Sequence, residues 1–230
     1  MPVRGVIAGR DFGAIAEELT GRYSVNPWTA PRRTACKNEK VEVAAAIGEW
    51  QSIRSWVYYA LSGIGNSNHL AGEMFRAMAG VNITAVPYRG ASLALTDVVG
   101  GRVQMIFATA NSSQPHVTAG RLVALAVTSA QPSPVAPGLP TVASSGGATM
   151  AGYESAATIG VLARMGTPAA VVNLLHREMA RYLHSPEGRG RLLKAGIEAI
   201  GNTPAEFAAI IREDMRTKGK IIRDAGIRME

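Results

Sequence analysis

The stretch Ser62-Gly63-Ile64-Gly65-Asn66-Ser67-Asn68-His69 sets two glycines, two serines, two asparagines and a histidine directly before an apolar helical pattern. As a nucleophile elbow it would need Gly-x-Ser-x-Gly, and His69 stands where the second glycine belongs. As a phosphate loop it would need a lysine before its hydroxyl residue, and none follows. As a dinucleotide fingerprint it lacks the third glycine, because position 68 is asparagine. The general physics survives: glycines let backbone N–H groups approach a ligand, and a helix start adds partial positive charge. A polar cap on a glycine turn explains the same residues, so on these alone both readings stand.

Two further segments place polar groups between a strand-like and a helix-like run. Pro87-Tyr88-Arg89-Gly90-Ala91-Ser92 offers a phenol, a guanidinium and backbone donors suited to a carboxylate, or else an exposed turn. Ala108-Thr109-Ala110-Asn111-Ser112-Ser113 follows the strand ending at Phe107. Loops at the C-terminal ends of parallel strands meet on one sheet edge, where α/β folds bind ligands. A Ser67/His69 hydrolytic dyad is the rival from another class. Two residues apart at a helix start, these side chains diverge by roughly 200°, which argues against it. His116, His176 and His184 lack the spacing of a zinc motif and read as capping or surface residues.

The elements that position these loops alternate. Val57 to Leu61, Asn82 to Tyr88, Val103 to Ala108 and Leu122 to Thr128 read as strands. His69 to Ala79, Ser92 to Val99 and Ser113 to Ala119 read as helices between them, with Met74, Phe75 and Met78 as core. Such spacing predicts βαβ units and a mostly parallel sheet. Gln131 to Thr141 holds four prolines and reads as a crossover between lobes. Ala156 to Ala163 is a strand candidate. Three helices then open on a hydroxyl residue followed by proline: Thr167-Pro168, Ser185-Pro186 and Thr203-Pro204, the last with Glu206 completing a capping box. The run from Asp11 to Leu19 fits strand or helix, and the polar stretch after it has no period.

Over 230 residues, 47% apolar content supports a buried core. The formal charge of +7 favours anionic partners, yet the basic residues are scattered and no nucleic-acid-binding motif accompanies them. Cys36 is the only cysteine, so neither an intrachain disulfide nor a cysteine-based metal site is expected. No apolar run approaches the roughly 20 residues of a membrane span.

Several segments together carry a resemblance: Ser62 to Glu73, Val86-Pro87-Tyr88-Arg89-Gly90, Ala94 to Val103, and Ala119-Gly120-Arg121-Leu122. Ala124 to Ser129, Leu139-Pro140-Thr141-Val142, Gly166-Thr167-Pro168, Thr203 to Phe207 and Asp224-Ala225-Gly226-Ile227 continue it. On these the chain resembles the substrate-binding receptors of tripartite tricarboxylate transporters, the Bug-type periplasmic proteins. The resemblance implies an α/β, two-lobe, periplasmic-binding-protein-like fold with mostly parallel sheets. It also implies a monomer that closes on a small carboxylate and delivers it to membrane permease subunits, with no catalysis, cofactor or metal. The ligand contacts it implies are Ser62, Gly63, Gly65, Asn66 and His69 in one loop, then Tyr88, Arg89, Gly90 and Ala91, then Ala108 and Thr109. Many relatives carry Asp-Asn where Ala108-Thr109 stands, so a plain carboxylate is expected over an amine-bearing ligand.

Asp11 to Glu17 is similar to a mid-lobe segment of that family, and no proline-glycine loop precedes it. The chain therefore resembles a member without about its first ninety residues, with the first lobe incomplete, and a receptor impaired by that truncation or a non-functional remnant is the further alternative. The expected division is 1–33 as a remnant of the first lobe, 34–128 as the second, ligand-binding lobe, and 129–230 as the return to the first lobe. A periplasmic site is implied by the resemblance. The opening residues lack the apolar core of a signal peptide, so Met1 as true start would mean a cytoplasmic chain.

Overall fold

A computed structural model describes residues 4–9 and 57–227. The readings made for Asp11 to Leu19 and for Cys36 lie outside the described residues. Five strands form one sheet in the order β3-β2-β4-β1-β5. They are β1 (Arg4–Gly9), β2 (Val57–Leu61), β3 (Ile83–Pro87), β4 (Met105–Thr109) and β5 (Leu122–Val127). Helices α1 (Ser67–Ala79), α2 (Ala91–Val99) and α3 (Ala110–Thr118) fill the connections from β2 onward. Strand β2 pairs in parallel with both β3 and β4. Strand β1 runs antiparallel between β4 and β5. Residues 4–9 thus lie in the same sheet as β2 to β5, where they supply the ladder that β4 and β5 do not give each other.

The period-2 alternation of the strands sorts the core into two layers. Val57, Tyr59 and Leu61 of β2, with Met105 and Phe107 of β4, pack with Ala71 and Phe75 of α1. Ala60, Ile106 and Ala108 face the other way, onto Ala94, Leu95 and Val98 of α2. Tyr59 meets Phe107 edge-on with ring centroids 6.0 Å apart, and Phe75 lies 5.7 Å from Phe107. Helix α1 ends at Gly80 in the left-handed conformation, the usual stop that glycine permits.

After β5 the proline-rich segment stays out of the ladder, as its residues require, but it docks on the strand end. The Val127 N–H donates to Pro140 O at 2.9 Å, and Val127 and Thr141 form a parallel bridge. Helix α4 (Val142–Ser145) opens on Thr141 with a capping box. Tyr153 then returns its hydroxyl to Ala71 O at 2.9 Å, tying this segment to α1.

Ala156 to Ala163 is not a strand. Gly160 abuts the Phe207 ring, while Ile159, Val161 and Leu162 are exposed, and no strand among the described residues lies beside them to complete a ladder. Helices α5 (Ala169–His184), α6 (Pro186–Lys194) and α7 (Pro204–Asp224) follow. Ser185 caps α6 through Gly188 N, and Thr203 with Glu206 forms the expected box on α7. The first proline device shifts by one: Pro168 is the cap of α5, and the Thr167 hydroxyl turns back to Arg164 O. Neither α5 nor α7 buries any residue fully, and Val171, Leu174, Leu175 and Met215 are exposed. No helix of the described residues is long and apolar enough to cross a membrane.

Candidate functional site

Because β2, β3 and β4 are parallel neighbours, the loops that leave them emerge on one edge. With β2 in the middle, the Ser62–His69 loop stands between the other two. The Tyr88 N–H donates to Leu61 O at 2.9 Å, joining the first and second loops. The Asn68 side chain donates a short hydrogen bond to Phe107 O, joining the first and third. All eleven residues expected to contact ligand therefore lie in this three-loop cluster, except that Ala108 packs its side chain into the α2 layer.

The glycine loop is internally braced. Asn66 is the N-cap of α1, and its Oδ1 accepts from the N–H groups of Asn68 at 3.1 Å and His69 at 3.0 Å. Its amide donates to Ser62 Oγ at 2.7 Å. Gly65 has φ of 74°, a turn that glycine adopts without strain, and its N–H donates to His69 Nδ1 at 3.1 Å. An imidazole that accepts at Nδ1 carries its proton on Nε2. Burial holds His69 below the usual imidazole value, while the nearby Glu73 charge acts in the opposite sense. With Nδ1 accepting from Gly65, the ring nitrogen that could act as a base is engaged by the loop backbone, which argues against the Ser67/His69 dyad.

In the second loop the Tyr88 hydroxyl does not enter the cluster. It donates to Asp97 Oδ2 at 2.8 Å, while Arg102 holds Oδ1 at 2.8 Å. Burial and Asp97 push the Tyr88 phenol up to about 12. The Arg102 and Tyr88 hydrogen bonds hold the Asp97 carboxyl below the usual carboxylate range. The Tyr88 phenol thus ties this loop to α2, and Arg89 stands exposed beside it.

The donors differ among the three helix starts. Where Asn66 caps α1, no side chain caps α2 at Gly90 or α3 at Thr109. The Thr109 hydroxyl instead pairs with Ser112 Oγ at 2.9 Å. The first-turn amides of α2 and α3 are therefore the groups best placed to receive an anion. Gly196, in the joint after α6, brings residues 129–230 to this edge: a Cβ there would lie 2.6 Å from Asn111 N.

Sequence reasoning missed a second tier of residues. Tyr59 donates to Glu73 Oε1 at 2.8 Å, and Arg76 grips Glu73 Oε2 through Nε at 2.9 Å and Nη2 at 2.6 Å. His69 Nε2 lies 4.0 Å from Glu73 Oε1. The i, i+4 and i, i+3 spacings of His69, Glu73 and Arg76 were the available signal. A cavity of about 380 Å³ opens beside them, bounded on its far side by Ala225, Gly226 and Ile227. Among the described residues no group of three histidine, cysteine or acidic side chains could hold a metal ion.

Comparison with known proteins matches residues 46–227 to the model of the tripartite tricarboxylate transporter family receptor. A protein from the tcbD-tcbE intergenic region of Pseudomonas sp. strain P51 is 35% identical over 164 residues, 71% of this chain and 48% of that protein. One from the clcB-clcD intergenic region of Pseudomonas knackmussii is 32% identical over 161 residues, 70% of this chain and 94% of that protein. Among solved structures, R. palustris Rpa4515 with adipate superposes with a TM-score of 0.76 at 29% identity, over 98% of this chain and 66% of that one. The chain thus spans about half the length of the first of these relatives and nearly all of the second.

Proposed function

Because the chain belongs to the tripartite tricarboxylate transporter receptor family, whose members are solute receptors and not catalysts, we propose that it binds a small carboxylate and presents it to the permease subunits of such a transporter. The periplasm is the compartment in which that delivery would take place. The observation that carries this reading is the pair of uncapped helix starts, α2 and α3, on the same edge as a glycine loop. Among the described residues, that edge offers hydrogen-bond donors and no base hydrogen-bonded to a nucleophile. Two such starts suit the two oxygens of one carboxylate, each helix adding its partial positive charge. Adipate, the acid bound to Rpa4515, is the first ligand to test. The ligand-binding residues are, in this reading, the backbone of Gly90 and Ala91, the Ala108-Thr109 turn, and the Ser62–His69 loop that shapes their common wall.

Ala91→Pro tests it directly. Proline at the first helical position removes the Ala91 N–H while suiting the helix backbone. Calorimetric titration with adipate, malate and benzoate should show binding of at least one acid by the parent chain, weakened about tenfold or more in Ala91→Pro at unchanged thermal stability. No binding of any of these acids by the folded parent chain would overturn the proposal.

A further inference from the structure

We propose that Glu73, a residue outside the three loops, is the positioning residue of the glycine loop: through His69 it fixes the Gly65 N–H, and with it the shape in which the loop meets a ligand. The second half of that statement rests on the carboxylate-binding reading above; the first half does not.

The geometry assigns each atom a task. Glu73 is only 8% exposed, yet its two oxygens face different groups. Oε2 takes both Arg76 donors, while Oε1 takes the Tyr59 hydroxyl and looks toward His69 Nε2. A carboxylate needed only for packing on β2 would be satisfied by Tyr59 and Arg76. The remaining side of Oε1 favours an imidazole that points a proton at it. At 4.0 Å this pull is electrostatic rather than a hydrogen bond. A proton on Nε2 leaves Nδ1 as the acceptor that Gly65 N–H requires. Protonation of the ring would set a donor on Nδ1 against the Gly65 donor and open the turn.

The charged and titratable neighbours of His69 among the described residues are few. Glu73 faces it on α1, Arg76 stands behind Glu73 on the same helix, and Tyr59 reaches over from β2. The rest of the shared cavity wall is apolar or glycine, drawn from Leu61, Ile64, Ala85, Pro87 and the Ala225–Ile227 segment. Glu73 and Arg76 therefore act on the ring with opposite sign, and their removal gives opposite results.

The test is ¹⁵N NMR of the full chain without ligand. At pH 7.5 the His69 ring should show the neutral tautomer protonated on Nε2, and the Gly65 amide should titrate with the same midpoint as the ring. That shared midpoint should fall by about 0.5 unit or more in Glu73→Gln and rise in Arg76→Gln. His69→Asn, whose side-chain oxygen can take the place of Nδ1, should hold the Gly65 amide near its parent position and abolish its pH dependence. A Gly65 amide that ignores the His69 titration, or a midpoint moved the same way by both charge removals, overturns the assignment. Should Glu73→Gln fail to fold, Arg76→Gln and His69→Asn decide it alone. Adipate titrations run in parallel separate the two readings: the intact NMR signature without binding would sink the carboxylate reading and leave the positioning of Gly65 standing.

Discussion

Tyr59 on β2 and Glu73 on α1 meet because Gly72 gives way between the strand and the helix. The phenol donates to Oε1 at 2.8 Å, and a Cβ on Gly72 would stand 2.3 Å from the Tyr59 ring. Alanine at 72 would gain up to about 1 kcal/mol of helix propensity. It would also drive the helix off a fully buried aromatic side chain, at a cost of about 1–3 kcal/mol. Gly72→Ala should therefore lower the denaturation midpoint, and an unchanged or raised midpoint in urea would contradict the close packing described.

Tyr59→Phe removes the hydroxyl alone. Glu73 keeps Arg76 but loses the neutral donor on Oε1, and a buried charge short of one partner costs about 1–3 kcal/mol. The expected result is a lower midpoint with an unchanged denaturant slope. Burial and the Glu73 charge push the Tyr59 phenol well above its ordinary value. Its ionisation in the unfolded chain should therefore erode stability above about pH 10, and the erosion should be smaller in Tyr59→Phe, where the raised Tyr88 phenol still contributes its share.

The strands β2 to β5 and their helices were legible because each side of each strand buries a different layer, and period-2 alternation records that. Ser185 and Thr203 were legible as caps because their partners lie three residues away. The Ala156 to Ala163 segment has strand composition but no neighbour in the described sheet, and composition cannot supply one. Tyr88 was read as a ligand group because phenol and arginine suit carboxylates. Its pairing with Asp97, nine residues on, depends on how α2 folds back over β2 and β4. The Tyr59–Glu73 contact was invisible for a similar reason: it needs two elements to approach over a glycine whose significance only the packing reveals. The insertion of residues 4–9 between β4 and β5 is a still longer-range event, and nothing local in Arg4 to Gly9 specifies it.

The Tyr88–Asp97–Arg102 chain gives a pH signature at the acid end. Asp97 binds its proton less readily in the folded chain than in the unfolded one. Its contribution is therefore present above the ordinary aspartate value of about 4 and is lost as pH falls through the depressed folded value. Asp97→Asn should flatten that part of the stability curve. Tyr88→Phe should flatten it partly, with a loss of about 0.5–1 kcal/mol at neutral pH because the group is partly solvated. An acid limb identical in all three proteins would show that this chain does not couple the second loop to α2.

Asn66 separates capping from ligand binding. Its Oδ1 receives two helix amides and its Nδ2 reaches Ser62, so Asn66→Ala should cost about 1 kcal/mol. Asn66→Asp keeps the capping oxygens and adds a charge that the start of α1 favours. The parent stability should be nearly retained. That same charge stands in the loop proposed to flank a bound carboxylate, where repulsion acts over several ångströms with little screening. Adipate affinity should consequently fall more in Asn66→Asp than in Asn66→Ala, the reverse of their order in stability. Thermal denaturation and calorimetric titration on the same preparations read both orders. If the aspartate variant bound as well as the parent, the anion would have to lie away from the start of α1.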